Sequence, residues 1–157
     1  MSTEESRLRY LIVDGHSMIF AHPELLQLHQ KRMELGREEL VKMLTRYQDA
    51  TGDRVVVVFD GKGKRMSSEQ TTIQVMYSKS NQTADQIIER LVVKYGKQHD
   101  LTVATNDNME QQTVITFGGM WMSSEMLFNR IEEADKQVHD FMKQRSRKVK
   151  RGFKIDF

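Results

Sequence analysis

At 157 residues, with 38% hydrophobic and 29% charged side chains, the chain is long enough for one domain with its own core and too short for two. It contains no cysteine, which excludes disulfides, zinc-thiolate sites and thiol nucleophiles, suits a reducing cytoplasmic compartment, and leaves any metal to oxygen or imidazole ligands. The net charge of +2 hides an asymmetry: residues 1–142 carry 17 Lys+Arg against 21 Asp+Glu, whereas the last fifteen carry seven (Lys143, Arg145, Arg147, Lys148, Lys150, Arg151, Lys154) against Asp156.

In chain order, the N-terminus MSTEESRLR is acidic and polar, unlike a signal peptide, and no apolar run approaches the roughly 20 residues of a membrane helix. Five apolar runs read as strands: Tyr10 to Val13, Val55 to Phe59, Thr72 to Tyr77, Leu101 to Ala104 and Thr113 to Phe117. YLIV and VVVVF are nearly unbroken and rich in β-branched residues, the pattern of strands buried on both faces of a parallel sheet. Helices lie between them. Gly36 to Ala50 sets Leu40, Met43, Leu44 and Tyr47 on one face and stops at Thr-Gly-Asp. Thr83 to Tyr95 opens on a Thr cap, aligns Ile87, Ile88, Leu91 and Val92, and ends at Gly96. A long helix from about Ser123 turns Met126, Leu127, Ile131 and Ala134 inward and runs toward the basic tail. Alternation of this kind predicts an α/β domain over 1–142, a parallel sheet between layers of helices, followed by a basic tail over 143–157. The tail's charge suits either contact with nucleic acid or solubilisation.

Ligands of such sheets bind beyond the carboxyl ends of the strands, and three of the predicted strands deliver an aspartate there: Asp14, Asp60 and Asp107. Asp85, in the first turn of the helix after the third strand, would join them. Singly each is a turn or capping residue; crowded together without counter-charge they repel, and a divalent cation is the ordinary remedy. Mg²⁺ or Mn²⁺ suits all-oxygen ligands, and the corresponding chemistry is phosphodiester hydrolysis by a metal-activated water. Thr83 and Thr105, each shortly before one of these aspartates, can hydrogen-bond a ligand or water, or cap a helix. Glu110, three residues after Asp107, turns toward the same edge as an outer or weak ligand. His16 can meet a substrate phosphate or simply be solvated. Gly61 to Arg65 (GKGKR) puts Lys62, Lys64 and Arg65 beside Asp60 without the spacing of a Walker loop. With Arg145, Arg147, Lys148, Lys150 and Arg151 of the tail, these cations flank an acidic centre, as a nuclease site requires.

In order along the chain, LIVDGHSMI, VVVVFDGKG, NQTADQIIERL, VATNDNMEQ and then FGG before a serine-opened helix resemble the YacP-like branch of the NYN domains, relatives of the PIN nucleases, over about residues 8–142. The resemblance implies a PIN-like three-layer fold with a central, mainly parallel five-stranded sheet. It also implies a metal-dependent endoribonuclease with its acidic site on Asp14, Asp60, Asp85 and Asp107, acting in mRNA decay or RNA processing and in some members with ribosomes. The family's usual Gly-Tyr-Asn after the first aspartate is here Gly15-His16-Ser17, and Ser17 keeps a hydroxyl but not an amide's donor and acceptor pair.

Two other classes compete with the endoribonuclease. One is an RNA- or ribosome-binding module that keeps the fold without turnover. The other is a phosphatase or receiver domain, disfavoured because position 16 is His and because a single acid, Asp14, closes the first strand. No Gly-rich loop follows that strand, so a nucleotide cofactor is not expected.

Overall fold

A computed structural model describes residues 7–61 and 72–152, with side chains through Arg147. The elements in order are β1 (Arg9–Asp14), α1 (Gly15–Ala21), α2 (Pro23–Lys31), α3 (Met33–Thr51), β2 (Arg54–Phe59), β3 (Gln74–Tyr77), α4 (Ala84–Tyr95), β4 (Asp100–Ala104), α5 (Asn108–Thr116), β5 (Met120–Met122) and α6 (Ser124–Gly152). The five strands form one sheet in the order β3-β2-β1-β4-β5, and every pairing is parallel. The three-layer α/β fold expected from the sequence is the fold observed.

Alternation along the central strands divides the core. Leu11, Val13, Val55, Val57 and Phe59 face a layer built from α1, α2, α3 and α6, including Met18, Leu25, Leu40, Leu44, Leu127 and Ile131. Ile12, Val56, Val58 and Val103 face α4 and α5 through Ala84, Ile87, Ile88, Val92 and Val114. Both faces are dry, which is why YLIV and VVVVF need no polar alternation. No helix among the described residues is long and apolar enough to cross a membrane.

Several expectations are corrected. Thr113 to Phe117 is not a strand: the run TVIT lies inside α5, and the fifth strand is the three-residue β5 just after Gly118 and Gly119. Its β-branched residues suggest strand, but Asp107 caps the helix and the hydroxyls of Thr113 and Thr116 donate to the carbonyls four residues back. That bonding satisfies the helix internally although only Glu110 and Val114 are buried on it. Two short helices, α1 and α2, were not foreseen, because one of their caps is unusual: His22 Nδ1 accepts from Leu25 N at 3.3 Å just before Pro23. The helix expected to begin at Gly36 already begins at Met33.

α6 docks on α3 through Leu127, Ile131 and Ala134, with a last contact between Arg46 and Asp135 at 3.5 Å. From Lys136 through Arg147 every side chain is exposed, yet the helix continues unbroken to Gly152. The expected boundary at residue 142 therefore falls within a helix, and Lys143, Arg145 and Arg147 lie on a projecting helical arm.

The ends of β2 and β3 meet so closely that position 61 admits no side chain. A Cβ on Gly61 would collide with the Ser78 carbonyl oxygen, while its N–H donates to Ser78 Oγ at 2.9 Å. Gly61→Ala is expected to destabilise the fold by about 1–3 kcal/mol or more, read as a lower midpoint in urea denaturation.

A carboxylate site at the sheet edge

Three helix N-termini converge at the carboxyl edge of the sheet, and each brings one acid. Asp14 ends β1 and caps α1; Asp85 lies in the first turn of α4, and Glu110 in that of α5. The positive ends of the helices favour negative charge here. α4 is aimed by a capping box between Thr83 and Gln86 and by its Ala84 N–H, which donates to Asp60 Oδ1 at 3.2 Å.

Asp14 is buried, 5% exposed, because β1 is the central strand and Gly15 packs directly on the Phe59 ring, where a Cβ would clash. Its carboxylate accepts from Ser17 Oγ at 2.8 Å and from Ser17 N at 3.4 Å. Ser17 thus supports the acid from within the Gly-His-Ser segment that departs from the family's usual pattern. On the other side Thr105 Oγ1 lies 2.9 Å from Asp14 Oδ2 and 2.7 Å from Glu110 Oε2. Thr105 is fully buried and itself held: its N–H donates to Met122 O, and its carbonyl accepts from Trp121 Nε1 at 2.7 Å.

One hydroxyl proton cannot serve two carboxylates, so the arrangement is satisfied when one of them carries a proton. Glu110, 2% exposed, is that group. Burial, the charge of Asp14 and a hydrogen bond with it push its pKa from 4.5 up to about 9. Asp85 is also raised, first by burial and then by the charges of Asp14 and Asp107.

Asp14, Asp85 and Glu110 each present a carboxylate oxygen within 4.8 Å of the other two. Among the described residues none of the three is ion-paired with a cationic side chain, and Glu110 Oε1 is buried without any hydrogen-bond partner. An all-oxygen cluster with an unused, buried lone-pair donor fits a hard divalent cation such as Mg²⁺ or Mn²⁺. Deprotonation of Glu110 would then accompany binding.

The structure treats the remaining sequence candidates unequally. Asp60 is exposed at the rim, its side chain holding the start of α4. Asp107 caps α5 through Met109 N at 2.8 Å. Both stand close enough to raise the Asp85 pKa, but the tight trio contains Glu110 in their place. Thr83 is a helix cap. His16 is exposed and rests on Phe20, with ring centroids 4.3 Å apart. Arg145 and Arg147 are exposed on α6. Lys62, Lys64 and Arg65 lie outside the described residues, as do the side chains of Lys148, Lys150 and Arg151.

Two residues at the edge escaped sequence reasoning. Arg37, 6% exposed, donates to the Asp60 carbonyl at 3.0 Å and lies over the Phe59 ring at 4.9 Å. A cation three residues before Leu40, inside the apolar stripe of α3, was the available signal. Trp121 was hidden by the misplaced fifth strand.

The protonated Glu110 sets a pH dependence in the absence of metal. Between 4.5 and about 9 the native state holds a proton that the unfolded chain has lost. This stabilisation is therefore complete at acidic pH and disappears as pH rises through about 9. Melting temperatures measured against pH in EDTA are expected to fall across that window in the intact protein, and to fall less in Glu110→Gln, whose neutral amide cannot titrate.

Comparison with known proteins agrees with the fold. The family model described as the YacP-like NYN domain matches residues 11–156, including the basic stretch beyond the motifs that carry the sequence resemblance. The Bacillus subtilis (strain 168) protein called "Uncharacterized protein YacP" is 33% identical over 132 residues, covering 82% of this chain and 78% of that protein. The crystal structure of Rae1 (YacP) from Bacillus subtilis superposes with a TM-score of 0.78 at 30% identity, over 92% of this chain and 86% of that one. A variant of the same protein gives a TM-score of 0.76 at 30% identity, over 94% and 87%.

Proposed function

The chain belongs to the YacP-like NYN domain family, a PIN-like nuclease family, and on that premise we propose that it is a divalent-metal-dependent endoribonuclease that hydrolyses phosphodiester bonds of RNA, mRNA above all. The observation that carries the reading is the uncompensated trio Asp14, Asp85 and Glu110 at the carboxyl edge of the sheet. Asp60 and Asp107 add negative charge at its rim.

Asp14, Asp85 and Glu110 would hold the ion. When bound, Mg²⁺ or Mn²⁺ supplies the positive charge that favours water attack at phosphorus and departure of the leaving oxygen. The chain's own part is positioning. Ser17 and Thr105 fix the Asp14 carboxylate, and Thr105 also orients Glu110. The capping box of α4 sets the direction of Asp85. RNA phosphates beyond the ion would be met by the cations of the GKGKR segment and, farther off, by those of the α6 arm. α6 starts at Ser124 beside Asn106 and leads away from the carboxyl edge, so RNA binding is separable from cleavage. A ribosome-bound RNA would present the same chemistry to that arm.

The deciding experiment is cleavage of single-stranded RNA with and without Mg²⁺ or Mn²⁺. Asp14→Asn is expected to abolish cleavage while RNA binding persists, and Thr105→Val to lower metal affinity or activity about 10–100-fold. Intact protein that binds RNA but never cleaves it with either ion would leave only a binding module.

The arm has its own signature. Replacing Lys143, Arg145 and Arg147 by Gln should weaken RNA binding without regard to sequence. The slope of log affinity against log salt should fall by roughly 0.7 for each phosphate that is no longer neutralised. Anisotropy titrations at several salt concentrations measure both.

A further inference from the structure

We infer that the Trp121 indole is a stacking platform for an unpaired base of RNA lying across the carboxylate site; the inference rests on the endoribonuclease reading of that site. Trp121 sits on β5, the edge strand. Its neighbour Met122 is buried with the α3 and α6 core, so strand alternation sends the indole to the opposite face, where it is 36% exposed. Its one polar group is used internally: Nε1 donates to the Thr105 carbonyl at 2.7 Å. Thr105 is the residue whose hydroxyl touches both Asp14 and Glu110. The ring is thereby held in fixed relation to the carboxylates through a single intervening residue.

The composition of this flank selects the base rather than the phosphate as the bound group. Residues 105–122 contain no Lys or Arg and two acids, Asp107 and Glu110, so this segment itself offers a phosphate no cation. The segment exposes apolar side chains instead, among them Met109 in the first turn of α5 and Trp121. Trp121 leaves part of its ring open to solvent on this edge strand. Beside a phosphodiester-cleaving centre it has a use, since every unpaired base offers a π-face, and stacking on an aromatic ring tolerates any sequence. A base inside a duplex has no free face, so the platform favours single strands.

Trp121 is the only tryptophan of the chain, so its emission reports the contact directly. In EDTA, which prevents cleavage, a short unstructured oligoribonucleotide is added to the full chain while anisotropy of a labelled copy measures binding. Emission is expected to be quenched with the same midpoint as the anisotropy, whereas inorganic polyphosphate or the same sequence in a duplex leaves it nearly unchanged. Trp121→Ala should weaken single-strand binding about 5- to 150-fold, and Trp121→Phe, which keeps a ring but not the Thr105 hydrogen bond, should restore most of it. RNA bound with emission unchanged, or equal loss in the Phe and Ala variants, overturns the platform and leaves the nuclease reading standing. Absence of any RNA binding overturns both.

Discussion

Several carboxylates that repel one another are held together at one end of the sheet, and much of the local architecture serves to make that tolerable. Asp14 and Glu110 are buried, and Asp85 is half-buried beside them. Without a cation, the cluster is stable only because Glu110 keeps its proton and because Thr105 and Ser17 supply hydroxyls. The N-termini of α1, α4 and α5 all lie at this edge, where the positive ends of helices favour negative charge. A protein selected for stability alone would place apolar side chains here. The acids persist as a standing strain that a divalent cation would relieve.

The surrounding fold holds this edge rigid by close approach. Gly15 lets α1 start against Phe59, and Gly61 lets the end of β2 meet the end of β3. Arg37, buried among Phe59 and Tyr77, ties α3 to the Asp60 carbonyl. Asp60 in turn ties the start of α4, and with it Asp85, to β2. The connection from α3 through β2 to α4 passes through one buried guanidinium and the carbonyl and carboxylate of Asp60. The position of Asp85 is therefore set by packing beneath it and not by its own side chain.

Much of this was readable in the sequence because the two central strands are dry on both faces, and a continuous run such as VVVVF has few other homes. Asp14 and Asp85 were reachable for the same reason: a parallel strand or a capped helix has a predictable end. Glu110 reads in the sequence as a weaker candidate than Asp107, which follows directly on a strand, although its spacing already turns it toward the same edge. The structure extends that short helical turn into α5, with Glu110 buried in the first turn. Local preference of β-branched residues yielded there to capping and to threonine hydroxyls bonding back along the helix. Burial of Arg37 depends on aromatic rings contributed by β2 and β3, which no local pattern reports.

The order of the sheet has one more consequence. Asp14 comes from its central strand, Asp85 from a helix entered after its outer strand on one side, and Glu110 from a helix leaving β4 on the other. No contiguous stretch of the chain contains the site, and no pair of neighbouring strands assembles it. An incompletely synthesised or partly unfolded chain therefore lacks the carboxylate trio altogether, since it comes into being only when both halves of the sheet have closed around β1.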